Sequence, residues 1–223
     1  MAWFTDDAVG FFRELELNNN REWFEANKKR YERSVKAPMI AFAGEIIERM
    51  RAIDPAVQML PKDAVFRIFR DTRFSKDKTP YKTNAGLSVS RGGKTDPTSP
   101  GVYVHLDARM FGIASGCYFL EKEQLLAIRR HIVLHGAEFQ SLLADAKFKE
   151  TFGTVAGEKN KILPPEFKEA ATAQPLLFNK QFYYWAEHAP EEALREDLRE
   201  FVMRHLEAAT PMNGFLGAAL RGV

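Results

Sequence analysis

Apolar residues recur every three to four positions along the first part of the chain, which is the spacing of one face of a helix. Asn19 is predicted to cap the second of these helices, because Glu22 lies three residues later, where a capping box places an acid. Pro38 is predicted to begin the third helix, since proline is favoured in the first helical turn. The predicted N-terminal helices occupy 5–52 as three pieces, 5–17, 20–36 and 38–51.

A different period follows in the middle of the chain, where apolar and polar residues alternate at every second position. This alternation predicts short strands over 65–73, 85–90, 101–107 and 110–118, separated by turn residues. The turn at Asp107–Arg109 predicts a hairpin between the last two strands. Because short turns join antiparallel neighbours, the region 65–118 is predicted to form a mostly antiparallel central sheet.

Helical spacing returns after residue 121. Pro211 is predicted to end the last long helix, because a proline inside a helix lacks the amide hydrogen and clashes with the preceding turn. No stretch has the composition of a linker, so 1–223 is predicted to be one α+β domain with its helices packed on one side of the sheet. The C-terminal region 121–220 is predicted to contain helices over 121–135, 138–149, 190–210 and 212–220, with one further strand over 176–188.

Composition narrows the class of protein without selecting a function. Hydrophobic residues make up 45% of the chain and charged residues 28%, which is typical of a globular protein, and a net charge of +2 does not by itself indicate a nucleic-acid binder. No segment approaches the roughly 20 apolar residues of a membrane span, and Asp6 and Asp7 argue against a signal peptide. We therefore expect a cytoplasmic protein without a membrane partner. The single cysteine, Cys117, excludes an internal disulfide and a cysteine-based metal site.

Positive charge is concentrated in residues 67–82, which we call the basic segment. Six basic and two acidic residues give this segment a local charge of +4, whereas the whole chain carries only +2. Several cations on one ordered loop can hold a phosphate, a carboxylate or a nucleic-acid backbone. The cations are Arg67, Arg70, Arg73, Lys76, Lys78 and Lys82, and the acids are Asp71 and Asp77.

The strand pattern places Arg70 on one face together with three apolar residues, Phe66, Ile68 and Phe74. A guanidinium does not lose its proton, so an apolar setting is costly unless a carboxylate or an anionic ligand meets it. Beyond Phe74 the alternation stops, and Pro80 predicts an ordered turn. The arginine thus indicates either an ion pair within the protein or a bound anion.

We therefore predict a site for a phosphate-bearing or other anionic small molecule in the basic segment. One alternative is a hydrolase or transferase that acts on an anionic substrate. The other is an interaction module for nucleic acid or protein, in which the charges of the segment pair with each other as a structural latch. The predicted ligand-binding residues are Arg70, Arg73, Lys76, Lys78, Tyr81 and Lys82.

His105 and Asp71 are the catalytic candidates for the enzyme alternative. On a strand over 101–107, Tyr103, His105 and Asp107 share one face, and a carboxylate beside an imidazole is suited to acid–base chemistry. The same spacing also describes a polar sheet face turned to solvent.

Two further patterns have a chemical and a structural interpretation. His131 and His135 have the i, i+4 spacing of a metal clamp, but no third ligand motif accompanies them, so no metal and no cofactor are predicted. Trp23, Phe24 and Tyr31 either offer stacking surfaces beside the basic segment or form the core of a helix. The oligomeric state is not predictable from the sequence.

The stretch Arg70–Thr83, Arg-Asp-Thr-Arg-Phe-Ser-Lys-Asp-Lys-Thr-Pro-Tyr-Lys-Thr, resembles the signature of a widespread family of uncharacterised microbial proteins, domain of unknown function number 2461. The stretch Asn18–Phe24 resembles the N-terminal helices of that family, and Gly116 with the helix around Arg129 resembles its middle part. The resemblance covers most of the chain. It implies a shared fold and a shared site at the basic segment, with no particular reaction attached.

Overall fold

A computed structural model describes residues 2–94, 96 and 99–221 of the chain. The fold is α+β, as the sequence predicts, and its sheet has four antiparallel strands. Within the described residues, no helix is long and apolar enough to cross a membrane. The helices are α1 (Asp6–Leu17), α2 (Arg21–Tyr31), α3 (Ala37–Ile53), α4 (Pro61–Ala64), α5 (Lys122–Leu134), α6 (Gly136–Ala144), α7 (Ala146–Phe152), α8 (Ala170–Ala173) and α9 (Leu198–Ala219).

The sheet follows the order of the chain, β1-β2-β3-β4. Its strands are β1 (Asn84–Val89), β2 (Val102–Asp107), β3 (Phe111–Cys117) and β4 (Phe182–His188). The ends of β1, β2 and β3 lie within one residue of the strands predicted over 85–90, 101–107 and 110–118, which confirms these three predictions. On β2, every second side chain is buried, whereas Tyr103, His105 and Asp107 are half-buried on the other face. The predicted alternation is thus confirmed.

The chain forms two compact units, and the prediction of one domain over 1–223 stays a prediction. The first unit contains Met1–Val89, Tyr103–Ile113 and Glu187–Met203. Aromatic residues fill its helical core: Phe11 contacts Phe12, and Trp3 contacts Phe42 at 5.7 Å between ring centroids. Burial of such rings is the main stabilising contribution to the packing of α1 to α3.

The second unit contains Ser90–Val102, Ala114–Ala186 and Arg204–Val223. Its core joins the buried faces of α5, α6, α7 and the C-terminal half of α9 around the fully buried Tyr184. Tyr184 donates a hydrogen bond from its hydroxyl to Oδ1 of Asn213, and burial raises the pKa of this phenol. Cys117 lies in the same core, where burial raises the pKa of its thiol to about 12, so it packs as a small apolar side chain.

Helix boundaries differ from the predictions where packing or a local contact outweighs a sequence signal. Asn20, and not Asn19, caps α2 by accepting a hydrogen bond from the amide of Trp23 at 2.9 Å. The predicted break at Lys36 is absent, because a π-helical turn over Glu32–Lys36 leads directly into α3.

The C-terminal predictions are wrong at two prolines. Pro190 begins a 3₁₀ turn that ends at Leu194, and α9 begins only at Leu198. Pro211 lies inside α9 and does not end it. Burial of Met212 and Phe215 on the same helix face offsets the cost of the proline, which is about 3 kcal/mol.

Of the predicted strands, one does not form and another is shorter than its sequence pattern. Residues 65–73 form no strand, and only Val65 and Phe69 make isolated antiparallel bridges, because the charged residues beyond Arg70 bond within their own loop. The last strand begins at Phe182, since Pro175 opens a 3₁₀ turn upstream.

Candidate functional site

The basic segment is a loop on two paired arms. The amide of Lys82 donates to the carbonyl of Ile68 at 2.7 Å, and the amide of Arg70 donates to the carbonyl of Pro80 at 2.9 Å. Residues 71–79, which we call the tip loop, lie beyond the last of these hydrogen bonds. The arms therefore fix where the tip loop begins and ends, while its own side chains decide its shape.

The arm at Tyr81 is anchored to the N-terminal helices. The side-chain amide of Asn19 donates to the carbonyl of Tyr81 at 2.9 Å and accepts from its backbone amide at 3.1 Å, as a neighbouring strand would. The ring of Tyr81 stacks on Phe24, with centroids 4.0 Å apart. Tyr81 is only 2% exposed, so its side chain belongs to the core and anchors this arm of the loop to it.

Arg70 makes an ion pair with Asp77 across the tip loop. Its guanidinium donates to Oδ2 of Asp77 and to the hydroxyl of Thr79. The backbone amide of Thr79 donates to the other carboxylate oxygen at 2.9 Å. That hydrogen bond, with those from Arg70 and the Thr79 hydroxyl, lowers the pKa of Asp77 to about 2. The arginine predicted to need a carboxylate or an anion is therefore met by a carboxylate of the protein.

A second ion pair joins Arg73 and Asp71 on the exposed side of the tip loop. The Arg73 guanidinium donates to both carboxylate oxygens, with the shortest bond at 2.6 Å from Nη2 to Oδ2. These bonds lower the pKa of Asp71 and raise that of Arg73. A carboxylate held in this way is a poor proton acceptor, so the geometry does not favour Asp71 as a general base.

The two ion pairs leave the charge of the basic segment at +4, because each cancels within itself. Lys78 donates from Nζ to the carbonyl of Thr72 at 2.9 Å, which orders the ammonium without neutralising it. The Nζ atom of Lys82 lies 5.4 Å from the centroid of the Phe66 ring. Lys76 and Arg67 are exposed. Hydrogen bonds within the segment thus hold Arg70, Arg73 and Lys78.

The exposure of the aromatic residues in the basic segment does not follow from the sequence pattern. The alternation places Phe74 on the apolar face, but it is 94% exposed, and Phe69 is 52% exposed. In contrast, Phe24 and Tyr31 are buried in the helical core. The sequence signal for Phe74 is its place at the very end of the alternation, between Arg73 and Ser75.

His105 belongs to a polar cluster on β1 and β2. Its Nε2 lies 2.9 Å from Oδ2 of Asp107, and its Nδ1 lies 3.3 Å from the Tyr103 hydroxyl and 3.4 Å from Nδ2 of Asn84. Burial raises the pKa of Asp107, but hydrogen bonds from His105 and from two backbone amides outweigh it and lower the pKa. Both ring nitrogens of His105 are close to protein groups, which favours a structural cluster over a base open to substrate.

The rings of His131, in the last turn of α5, and His135, which follows that helix, contact each other at a tilt of 46°, with centroids 4.4 Å apart. Burial and the neighbouring His135 lower the pKa of His131. In the part of the chain that the structure describes, no three His, Cys, Asp or Glu side chains converge as metal ligands would.

The fold and the basic segment define an α+β protein with a cationic loop on its surface, closed by backbone hydrogen bonds and ion pairs. Comparison with family models gives a match over residues 7–215 to the family described as "Conserved hypothetical protein (DUF2461)". The match covers most of the chain, which therefore belongs to this family, as the resemblance implies. A comparison with curated proteins gives no match.

Proposed function

We propose that this protein is a cytoplasmic domain that binds a phosphate-bearing or other anionic ligand through the basic segment. The supporting observation is that the segment keeps a charge of +4 after both of its acids are paired. In this proposal, Arg70 and Arg73 hold the shape of the tip loop. Lys76, Lys78 and Lys82 supply the positive field for the ligand.

The anchored arms also support the proposal, because they order the loop before a ligand binds. Ordering a flexible loop on binding costs conformational free energy, and a loop that is already ordered avoids this cost. Asn19 holds the backbone at Tyr81. Arg70, which precedes the tip loop, donates hydrogen bonds to Asp77 and Thr79 at the other end of the loop. Cations carried on such a frame are pre-organised for an anion.

A thermal-shift titration with inorganic phosphate and pyrophosphate tests the proposal, with sodium chloride at matched ionic strength as reference. At a ligand concentration of ten times Kd, mass action stabilises the folded protein by about 1.4 kcal/mol, or ~3–6 °C for a chain of this size. Lys76→Ala/Lys78→Ala is expected to lose most of this rise in Tm. Lys147→Ala/Lys149→Ala removes the same charge from exposed positions of α7 and is expected to retain the rise.

Equal ligand-induced rises in Tm for both double variants, or no rise in the wild type, would contradict anion binding at this loop. The ion pair of Arg70 with Asp77 supports a second candidate function for that case, a latch that only stabilises the fold. Under it, Arg70→Ala lowers the Tm of the protein, and anions shift the Tm of wild type and variant alike.

A further inference from the structure

Two exposed phenylalanines lie among the cations of the basic segment, and anion binding alone does not require them. Phe74 is 94% exposed and Phe69 is 52% exposed. A single exposed apolar side chain carries no meaning by itself. Here, however, both rings lie between arginines and lysines of one loop, and this interleaving of aromatic and cationic residues is typical of surfaces that bind single-stranded nucleic acid.

The two rings are held by different contacts. Phe69 packs against Phe24, with centroids 6.2 Å apart, and against Tyr81 at 5.5 Å, so its inner edge is fixed on the core. Phe74 lies in the tip loop, where the guanidinium carbon of Arg73 is 5.8 Å from its ring centroid. Because Asp71 holds Arg73 by two parallel hydrogen bonds, the cation beside the Phe74 ring has a fixed position.

We propose that the basic segment binds single-stranded nucleic acid, with bases stacked on Phe74 and Phe69 and phosphates bound by Lys76, Lys78 and Lys82. This inference rests on the proposed anion binding by the same residues and names the class of ligand. A single strand is required, because bases in a duplex are already stacked on their neighbours and present no free face to a phenylalanine ring.

A membrane surface fits the same features less well. Phe74 is flanked by Arg73 on one side and by Ser75 and Lys76 on the other, so insertion of its ring would carry charged groups towards the hydrocarbon. The exposed carboxylates of Asp71 and Asp77 would also approach anionic headgroups. Stacking a base on the ring requires neither, since the charged groups stay in water.

Fluorescence anisotropy with a labelled twelve-residue oligothymidine, and with a duplex of the same length, tests the inference on the full chain. Phe74→Ala is expected to raise Kd for the single strand roughly 5- to 150-fold, the range of a lost base-stacking contact. Phe74→Trp keeps an aromatic ring at this position and is expected to bind the single strand as tightly as wild type, with quenching of the indole fluorescence on binding. Phe119→Ala removes another exposed phenylalanine, 62% exposed, and is expected to leave Kd unchanged.

The salt dependence reports the phosphate contacts separately. Lys76→Ala/Lys78→Ala is expected to reduce the slope of log Kd against log salt by about 1.4, which corresponds to two phosphate contacts on a single strand. Phe74→Ala is expected to leave that slope and the phosphate thermal shift unchanged.

Each remaining outcome counts against one of the two proposals. Equal affinity of wild type and Phe74→Ala for the single strand, with the phosphate thermal shift intact, overturns base stacking and leaves anion binding in place. Binding to vesicles containing phosphatidylglycerol without binding to the oligonucleotide overturns the choice of ligand. Loss of the phosphate thermal shift in the wild type itself removes the anion binding on which this inference rests.

Discussion

At the residue scale, the acids of the basic segment fix its shape and leave its surplus charge in place. Asp77 receives hydrogen bonds from Arg70 and from the amide and hydroxyl of Thr79. These partners come from both ends of the tip loop, so one carboxylate closes the loop. The lowered pKa of Asp77, about 2, shows that the folded protein favours the ionised form.

This linkage predicts a pH-dependent contribution of Asp77 to stability. Because its pKa in the folded state is below its value in the unfolded chain, the contribution is complete above about pH 4 and disappears as the pH falls through 2. Asp77→Asn is therefore expected to lower the free energy of unfolding at pH 6, and the difference from wild type is expected to shrink between about pH 4 and pH 2. Urea unfolding at a series of pH values measures this difference.

Asp63→Asn, which removes an exposed carboxylate from α4, is the matched control and is expected to change stability little over this range. A difference between wild type and Asp77→Asn that stays constant from pH 6 to pH 2 would show that the hydrogen bonds to Asp77 do not depend on its charge.

At the element scale, the turn between α1 and α2 is joined to the basic segment by one side chain. Asn19 lies in this turn and pairs with both backbone groups of Tyr81, while the neighbouring Asn20 caps α2. Adjacent residues of one polar run thus have different structural roles. The position of the basic segment depends on Asn19, because Tyr81 begins the arm that returns from the tip loop.

Asn19→Ala is expected to destabilise the protein by about 1–3 kcal/mol, since it leaves the amide and carbonyl of Tyr81 without their partner. The variant is also expected to weaken the phosphate thermal shift, because the arm at Tyr81 loses its anchor. Chemical denaturation and the phosphate titration measure the two effects.

Asn18→Ala removes a local hydrogen bond from the side-chain amide of Asn18 to the Glu14 carbonyl and serves as the control, with a cost of about 0.5–1 kcal/mol. Equal destabilisation by the two alanine variants would mean that the Asn19 contacts do not anchor the basic segment.

At the scale of the whole molecule, the sheet pairs strands that are far apart in the chain. β3 ends at Cys117 and β4 begins only at Phe182, with α5 to α8 between them. Gly116 allows their close approach: its φ of +99° is unfavourable for other residues, and a Cβ atom there would lie 2.8 Å from Cα of Tyr183.

Gly116→Ala is therefore expected to destabilise the protein by roughly 2–5 kcal/mol, from backbone strain and the clash with β4 together. Thermal and urea unfolding measure the loss. Gly217→Ala in α9 is the matched control, since its Cβ would meet no atom within 4 Å, and it is expected to be neutral or to stabilise by up to about 1 kcal/mol. A Gly116→Ala variant as stable as wild type would contradict the close packing of β3 on β4.

Much of this architecture was predictable from local patterns. Helical spacing predicted α1 and α5, and alternation predicted β1 to β3, because the apolar faces of these elements repeat with the period of their own backbone. Alternation failed at Phe74, since a period of two has no meaning once the chain leaves the extended conformation. Proline failed as a stop signal at Pro211, because the packing of the surrounding helix face outweighs its local cost.

The sequence by itself determined the α+β class, the family, and the concentration of positive charge in residues 67–82, because these depend on residue identity and local spacing. Only the tertiary structure decided which acids pair with Arg70 and Arg73, that Tyr81 is buried, and that Phe74 is exposed. These outcomes depend on which side chains and backbone groups meet across the loop and from distant positions such as Asn19. Contacts of this kind depend on the path of the chain and on the packing beneath the loop, and a local repeat of apolar residues carries no information about either.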